Sequence, residues 1–243
     1  MNERRLSVTN SLIIINVVVF VVGLLAQRPA VLGISYPGGS PTSVFEVVGA
    51  YSWFNCFMQG EIWRLISYQF VHANFGHLLF NMWALYFFGP AVEFAMGSRR
   101  YLAFYLTCGV AGALFSSFLS ALGFYSPGNS LLLACNELAA YTGYSGMVEV
   151  WQMIPLIGAS AALYGVIIAT AFMYPDARIS LLFPPITLKL RTFALWVVGI
   201  ASFIILFNLD NAGGEAGHLG GIIMGALIMY IRKLRQRHHD SSL

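Results

Sequence analysis

Two distant apolar segments each open with a reactive side chain: Gly158-Ala159-Ser160 begins one and Gly217-His218 the other. A serine hydroxyl beside an imidazole is the smallest nucleophile and base pair that can transfer an acyl group. Polar groups inside an apolar span are costly and are usually present for function. If both segments enter a membrane from the same side, the two groups lie at similar depth, and hydrolysis of a peptide bond within the bilayer is the leading reading. The Gly-x-Ser triplet has no weight alone, since Ser35, Ser40, Ser130, Ser145 and Ser160 all fit it. Only Ser160 opens an apolar span. Singly, a serine bonding back to its own helix carbonyls and a histidine bonding between helices explain the two residues equally simply.

Their surroundings point further. Gly217, Gly221 and Gly225 repeat every four residues, as do Ala161, Gly165 and Ala169. Small residues at this spacing let helix backbones approach closely. If the stripes face each other, Ser160 and His218 come within hydrogen-bond reach. Tyr164 lies one turn after Ser160 on the same face, where it could stack on the imidazole. His77 and Asn81 share a helix face, with His72 just upstream. Acyl transfer builds negative charge on a carbonyl oxygen and needs donors already in place. His77, Asn81 and the Ser160 backbone N–H, free at a helix start, are the candidates. A polar inter-helix network is the plainer reading of the His77–Asn81 pair. His72, His77 and His218 could instead hold zinc, but no carboxylate is expected beside them and no His-Glu-x-x-His helix exists, so no metal and no cofactor is expected. Glu93 reads as structural, bonding the inner loop before Gly97-Ser98-Arg99.

The elements that must position these residues are membrane helices. The chain is 58% hydrophobic and 9% charged, against roughly 25% charge in soluble domains. A span needs about 20 apolar residues, and six segments approach this: 11–27, 74–95, 101–123, 157–174, 190–208 and 216–231. The first is expected to be a retained helix, with no cleavable leader. The expected fold is all-α, one domain over residues 1–243. With both termini inside, Arg4, Arg5, Arg99, Arg100, Arg178, Lys189, Arg191, Arg232, Lys233, Arg235 and Arg237 fall inside, and only Arg28 and Arg64 outside. That asymmetry fixes the orientation. The first outer loop, 28–73, is long and aromatic (Phe54, Phe57, Trp63, Tyr68), which predicts short interfacial helices. The loop 124–156 carries Glu137 and Glu149, and the polar stretch from Asn208 to Glu215 reads as a mobile connection. Cys56 and Cys135 fall in outer loops and Cys108 in mid-membrane; they read as unpaired small apolar residues rather than a disulfide. The basic tail from Arg232 suits anionic lipid, not nucleic acid.

Taken together these residues resemble the rhomboid family of intramembrane serine proteases, from about residue 11 to 231. Trp63-Arg64 is similar to the family's loop motif. His72, His77 and Asn81 are similar to its second-span signature, and Glu93 with Gly97-Ser98-Arg99 to its next motif. Gly158, Ser160 and Tyr164 match the nucleophile motif; Gly217-His218, Gly221 and Gly225 match the base motif. The resemblance implies a six-helix rhomboid-like bundle with a Ser160–His218 dyad and no acidic third member. It implies an oxyanion hole of His77, Asn81 and the Ser160 amide. It also implies single-span membrane proteins as substrates, and a gate and cap made by the fifth span and the loop before the sixth. Ala161 departs from the usual glycine, and its methyl is expected to separate the fourth and sixth spans slightly.

Two other readings compete. A derlin-type relative would bind client helices without cleaving them; retention of Ser160 and His218 argues against it. A small transporter would show repeated halves and charges at mid-depth, and neither is present. The compact chain suggests a bacterial cytoplasmic membrane. The sequence does not give the substrate or the oligomeric state.

Overall fold

The computed structural model describes residues 6–26, 43–125, 150–180 and 185–240. The expected features of Cys135, Glu137, Glu149, Ser35, Ser40, Ser130, Ser145 and Arg28 lie outside them. Eight α-helices are described: α1 (Val8–Leu25), α2 (Val44–Gly49), α3 (Arg64–Ser67), α4 (Phe75–Met96), α5 (Ser98–Ala121), α6 (Ser160–Met173), α7 (Leu190–Leu206) and α8 (Ala212–Asp240). The fold departs from purely helical at a short hairpin, β1 (Arg178–Ser180) antiparallel to β2 (Thr187–Lys189).

By length and composition α1, α4, α5 and α8 can each cross a membrane. The chain is an integral membrane protein. The remaining expected spans, α6 and α7, are apolar but shorter, at 14 and 17 residues. A 14-residue helix rises about 21 Å, about 9 Å short of a ~30 Å hydrocarbon core. The segment leading into it is packed inside the protein, with Leu156 and Ala159 buried and Ser160 half-buried.

Local chemistry sets the ends of these helices. The Ser7 hydroxyl caps α1 by accepting from the Asn10 N–H at 3.1 Å. The Asn74 side chain caps α4 by accepting from His77 N–H at 2.8 Å, the usual work of a short polar side chain at an N-cap. Gly97, at φ 78°, ends α4 and lets the chain reverse into α5. The expected span at 216–231 begins earlier, at Ala212, so that the stretch from Gly213 to Glu215 is the first turn of α8 rather than a mobile loop.

The centre of the bundle is a three-helix contact among α5, α6 and α8, made close by glycine. A methyl at Gly221 would run into the Ala161 carbonyl oxygen, and one at Gly225 would lie 2.9 Å from the Gly165 Cα. Position 221 thus meets 161 and position 225 meets 165, so α6 and α8 run parallel and in step. In the same way Gly112 faces Ala161 and Gly165 faces Cys108, which makes α5 antiparallel to α6. The Ala161 methyl does not wedge α6 from α8. It turns toward α5, where only a glycine fits: a Cβ at Gly112 would lie 2.6 Å from it.

The first loop is tied down by one cation. Arg64, 5% exposed, donates to the carbonyls of Ala50 at 2.6 Å and Val47 at 2.9 Å, and pairs with Glu61. Short helices do form here, as the aromatic content predicted. Tyr51, Cys56 and Tyr68 are buried inside the protein.

Candidate active site

The parallel register of α6 and α8 brings the first turn of α6 beside the second turn of α8. His218 Nε2 lies 2.8 Å from Ser160 Oγ, a full hydrogen-bond contact between side chains far apart in sequence. Ser160 is the first residue of α6, so its backbone N–H has no partner within the helix. Tyr164 stacks on the His218 ring, with centroids 4.1 Å apart and planes 11° from parallel. Gly221 and Gly225 act upstream of this contact, by allowing the approach that sets it.

The other imidazole nitrogen is also occupied. His218 Nδ1 lies 2.9 Å from Glu215 Oε2, with the two side chains 12% and 13% exposed. The sequence predicts no carboxylate beside this ring, yet Glu215, in the stretch expected to be a mobile connection, sits one turn before His218 on α8 and bonds it. The signal in the sequence is an i, i+3 pair of glutamate and histidine, which counts only once the stretch to Glu215 is helical rather than a mobile connection.

Ahead of Ser160 the chain is extended and pinned. Tyr51 and Leu156 exchange backbone hydrogen bonds at 3.0 and 2.7 Å, and the Gly158 N–H donates to the Tyr68 carbonyl at 2.9 Å. Gly158 adopts φ 114°, and a Cβ there would lie 2.6 Å from both Cε1 and Nε2 of His77. Glycine is therefore required twice over, for the backbone angle and for the ring packed on it. His77 in turn packs edge-on to His72, centroids 5.0 Å apart. His72 is 4% exposed. Burial, with the neighbouring His77, holds its basicity down to about 3, so the ring is neutral. It accepts from the Ala159 N–H through Nε2 at 3.5 Å, supporting the turn into Ser160.

Asn81 is 5% exposed and donates one amide hydrogen to the His77 carbonyl at 2.8 Å, leaving the other for a ligand. His77, Asn81, Ser160, Tyr164 and His218 line one cavity of about 620 Å³, with Phe193 and Val197 of α7 and Asn211 and Gly214 at the start of α8. Its wall is largely apolar with a few convergent polar groups, the usual make-up of a binding cavity. Among the described residues no three His, Cys, Asp or Glu side chains are arranged to hold a metal ion.

The other expected residues are elsewhere. Trp63 is exposed, its indole N–H donating to the Val48 carbonyl at 3.1 Å, and with Arg64 it organises the first loop. Glu93 does bond Ser98, at 2.8 Å, but its main partners are at the start of α1. It accepts from Val8 N–H, Thr9 N–H and the Thr9 hydroxyl at 2.8, 2.9 and 2.7 Å. Sequence reasoning placed it on its own loop; it caps a different helix, where unpaired N–H groups favour a carboxylate.

Comparison with known proteins gives one consistent result. A family model described as Rhomboid domain matches residues 59–235. The chain is 28% identical to "Rhomboid protease AarA" of Providencia stuartii over 70% of this chain and 56% of that protein. It is 28% identical to "Rhomboid protease GluP" of Bacillus subtilis over 70% of this chain and 27% of that one. It is 29% identical to "RHOMBOID-like protein 12, mitochondrial" of Arabidopsis thaliana over 88% and 61%. The chain thus spans between about a quarter and three-fifths of the length of these relatives.

Proposed function

The chain belongs to the rhomboid family, and from that premise we propose that it is an intramembrane serine endopeptidase that cleaves single-span membrane proteins in or near their transmembrane helix. The observation that carries this reading is the 2.8 Å contact between Ser160 Oγ and His218 Nε2 inside a helical bundle.

In this mechanism neutral His218 accepts the Ser160 proton as the hydroxyl attacks the scissile carbonyl. The new C–O bond forms a tetrahedral oxyanion, held by the Ser160 N–H with Asn81 and His77. The imidazolium then protonates the leaving amine, the C–N bond breaks, and an acyl-enzyme remains. Water, deprotonated by the same ring, hydrolyses it. A helical peptide bond is shielded by its own turn, so the substrate must unwind locally, and helix-weakening residues favour cleavage. The substrate enters between α4 and α7, where Phe88 and Phe193 stack at 6.3 Å and 8°. The turn before α8 caps the cavity. We place the termini inside, on the charge asymmetry, with six crossings that include the short α6 and α7. Ser160 then opens toward the outer side, from which water arrives.

The test is cleavage of a single-span reporter in liposomes, paired with labelling by a fluorophosphonate probe. Ser160→Ala abolishes both, and His218→Ala abolishes cleavage. Undiminished cleavage by either variant refutes the dyad, and a wild type that neither cleaves the reporter nor takes the probe is instead a binder of client helices.

A further inference from the structure

We propose that Glu215 is a positioning residue that completes a Ser160–His218–Glu215 triad. This deepens the proteolytic reading above and rests on it.

A neutral imidazole carries one proton, and it serves as base toward Ser160 only when that proton is on Nδ1. Glu215 Oε2 stands 2.9 Å from Nδ1 and Ser160 Oγ stands 2.8 Å from Nε2. An ionised carboxylate only accepts hydrogen bonds, so it selects the Nδ1–H form and leaves the Nε2 lone pair facing the hydroxyl. It also lies beside the imidazolium that forms when the serine proton is taken, at a contact both side chains keep largely from solvent. Attraction between opposite charges is stronger there than in water. The Tyr164 ring fixes the plane of the imidazole but supplies neither tautomer selection nor counter-charge.

The backbone holds Glu215 in this role. Its N–H donates to the Asn211 carbonyl at 3.0 Å, and Asn211 takes φ 68°, a turn that starts α8 early enough to include Glu215. The Ser116 hydroxyl, bonded to Tyr125, also contacts the Gly213 carbonyl at 2.9 Å, anchoring that first turn to α5. Among the described residues, the titratable groups lining the cavity besides His218 are His77 on α4 and Tyr164 on α6, and α7 contributes Phe193 and Val197. Glu215 is therefore the carboxylate that bonds the ring.

The experiment compares wild type with Glu215→Gln, Glu215→Ala and Glu215→Asp in liposomes. It reads kcat and KM for the reporter across pH, and the His218 tautomer by ¹⁵N magnetic resonance of labelled protein. Glu215→Gln keeps shape and an acceptor but no charge. Its kcat falls about 10- to 100-fold, less than the ~10⁴ loss at a fully buried soluble triad, with KM unchanged. The acidic limb of kcat shifts, because the imidazolium has lost its counter-charge. Glu215→Ala moves the proton from Nδ1 to Nε2, whereas Glu215→Asp restores the wild-type limb at reduced kcat. If Glu215→Gln and Glu215→Ala keep wild-type kcat, pH limb and tautomer, the triad is refuted and Glu215 serves only the helix end. That outcome is distinct from failure of the protease reading, which appears as Ser160→Ala retaining cleavage.

Discussion

At the residue scale the site is a chain of oriented polar groups, each set by its neighbour. Glu215 bonds His218, His218 bonds Ser160, and Tyr164 lies flat on the ring. On the opposing helix Asn81 keeps one amide hydrogen on the His77 carbonyl, and in the proposed mechanism the second goes to the developing oxyanion. Because this bond strengthens only as charge builds, its loss lowers kcat rather than raising KM. Asn81→Ala therefore lowers kcat by about 10²-fold with little change in KM, measured on the liposome reporter. An unaltered kcat assigns Asn81 to packing. The types and places of Ser160, His218, His77 and Asn81 were legible in sequence because reactive residues stand out in an apolar run. Glu215 was not, since its role depends on where α8 starts.

At the element scale the decisive feature is backbone contact without side chains. Gly221 leaves no room for a methyl against the Ala161 carbonyl, while Gly199 on α7 has nothing within 4 Å of its would-be Cβ. Gly221→Ala must push α8 from α6, at a cost of about 1–3 kcal/mol for overpacking. It lengthens the Ser160–His218 contact and suppresses fluorophosphonate labelling. Gly199→Ala leaves labelling and the unfolding midpoint in detergent unchanged or slightly improved. Equal behaviour of the two variants contradicts the close-packed register. The four-residue stripes on α6 and α8 predicted a close approach. They did not reveal α5 as the third partner, nor that the Ala161 methyl is absorbed by Gly112.

At the scale of the whole molecule, α1 is attached to the bundle through a carboxylate. Glu93 of α4 satisfies the first N–H groups of α1 and the Thr9 hydroxyl while also holding Ser98 at the start of α5. Glu93→Ala strands these donors and destabilises the protein by about 2–3 kcal/mol, seen as a lower unfolding midpoint in detergent. Labelling of Ser160 below that midpoint persists, because the α6–α8 register does not involve α1. Loss of labelling at all temperatures contradicts this division between attachment and site.

Composition and charge placement by themselves determined that this chain lives in a membrane. The approximate location of its apolar helices and the candidates for nucleophile and base, Ser160 and His218, followed from the same reading. Those properties are local or additive, so the order of residues suffices. Only the tertiary structure decided that α6 is no longer than 14 residues, that its start packs against α8, and that a carboxylate one turn before His218 bonds the ring. Each of these depends on where a helix starts and on which backbone it meets. Both are settled by packing among three helices rather than by the preferences of any one segment.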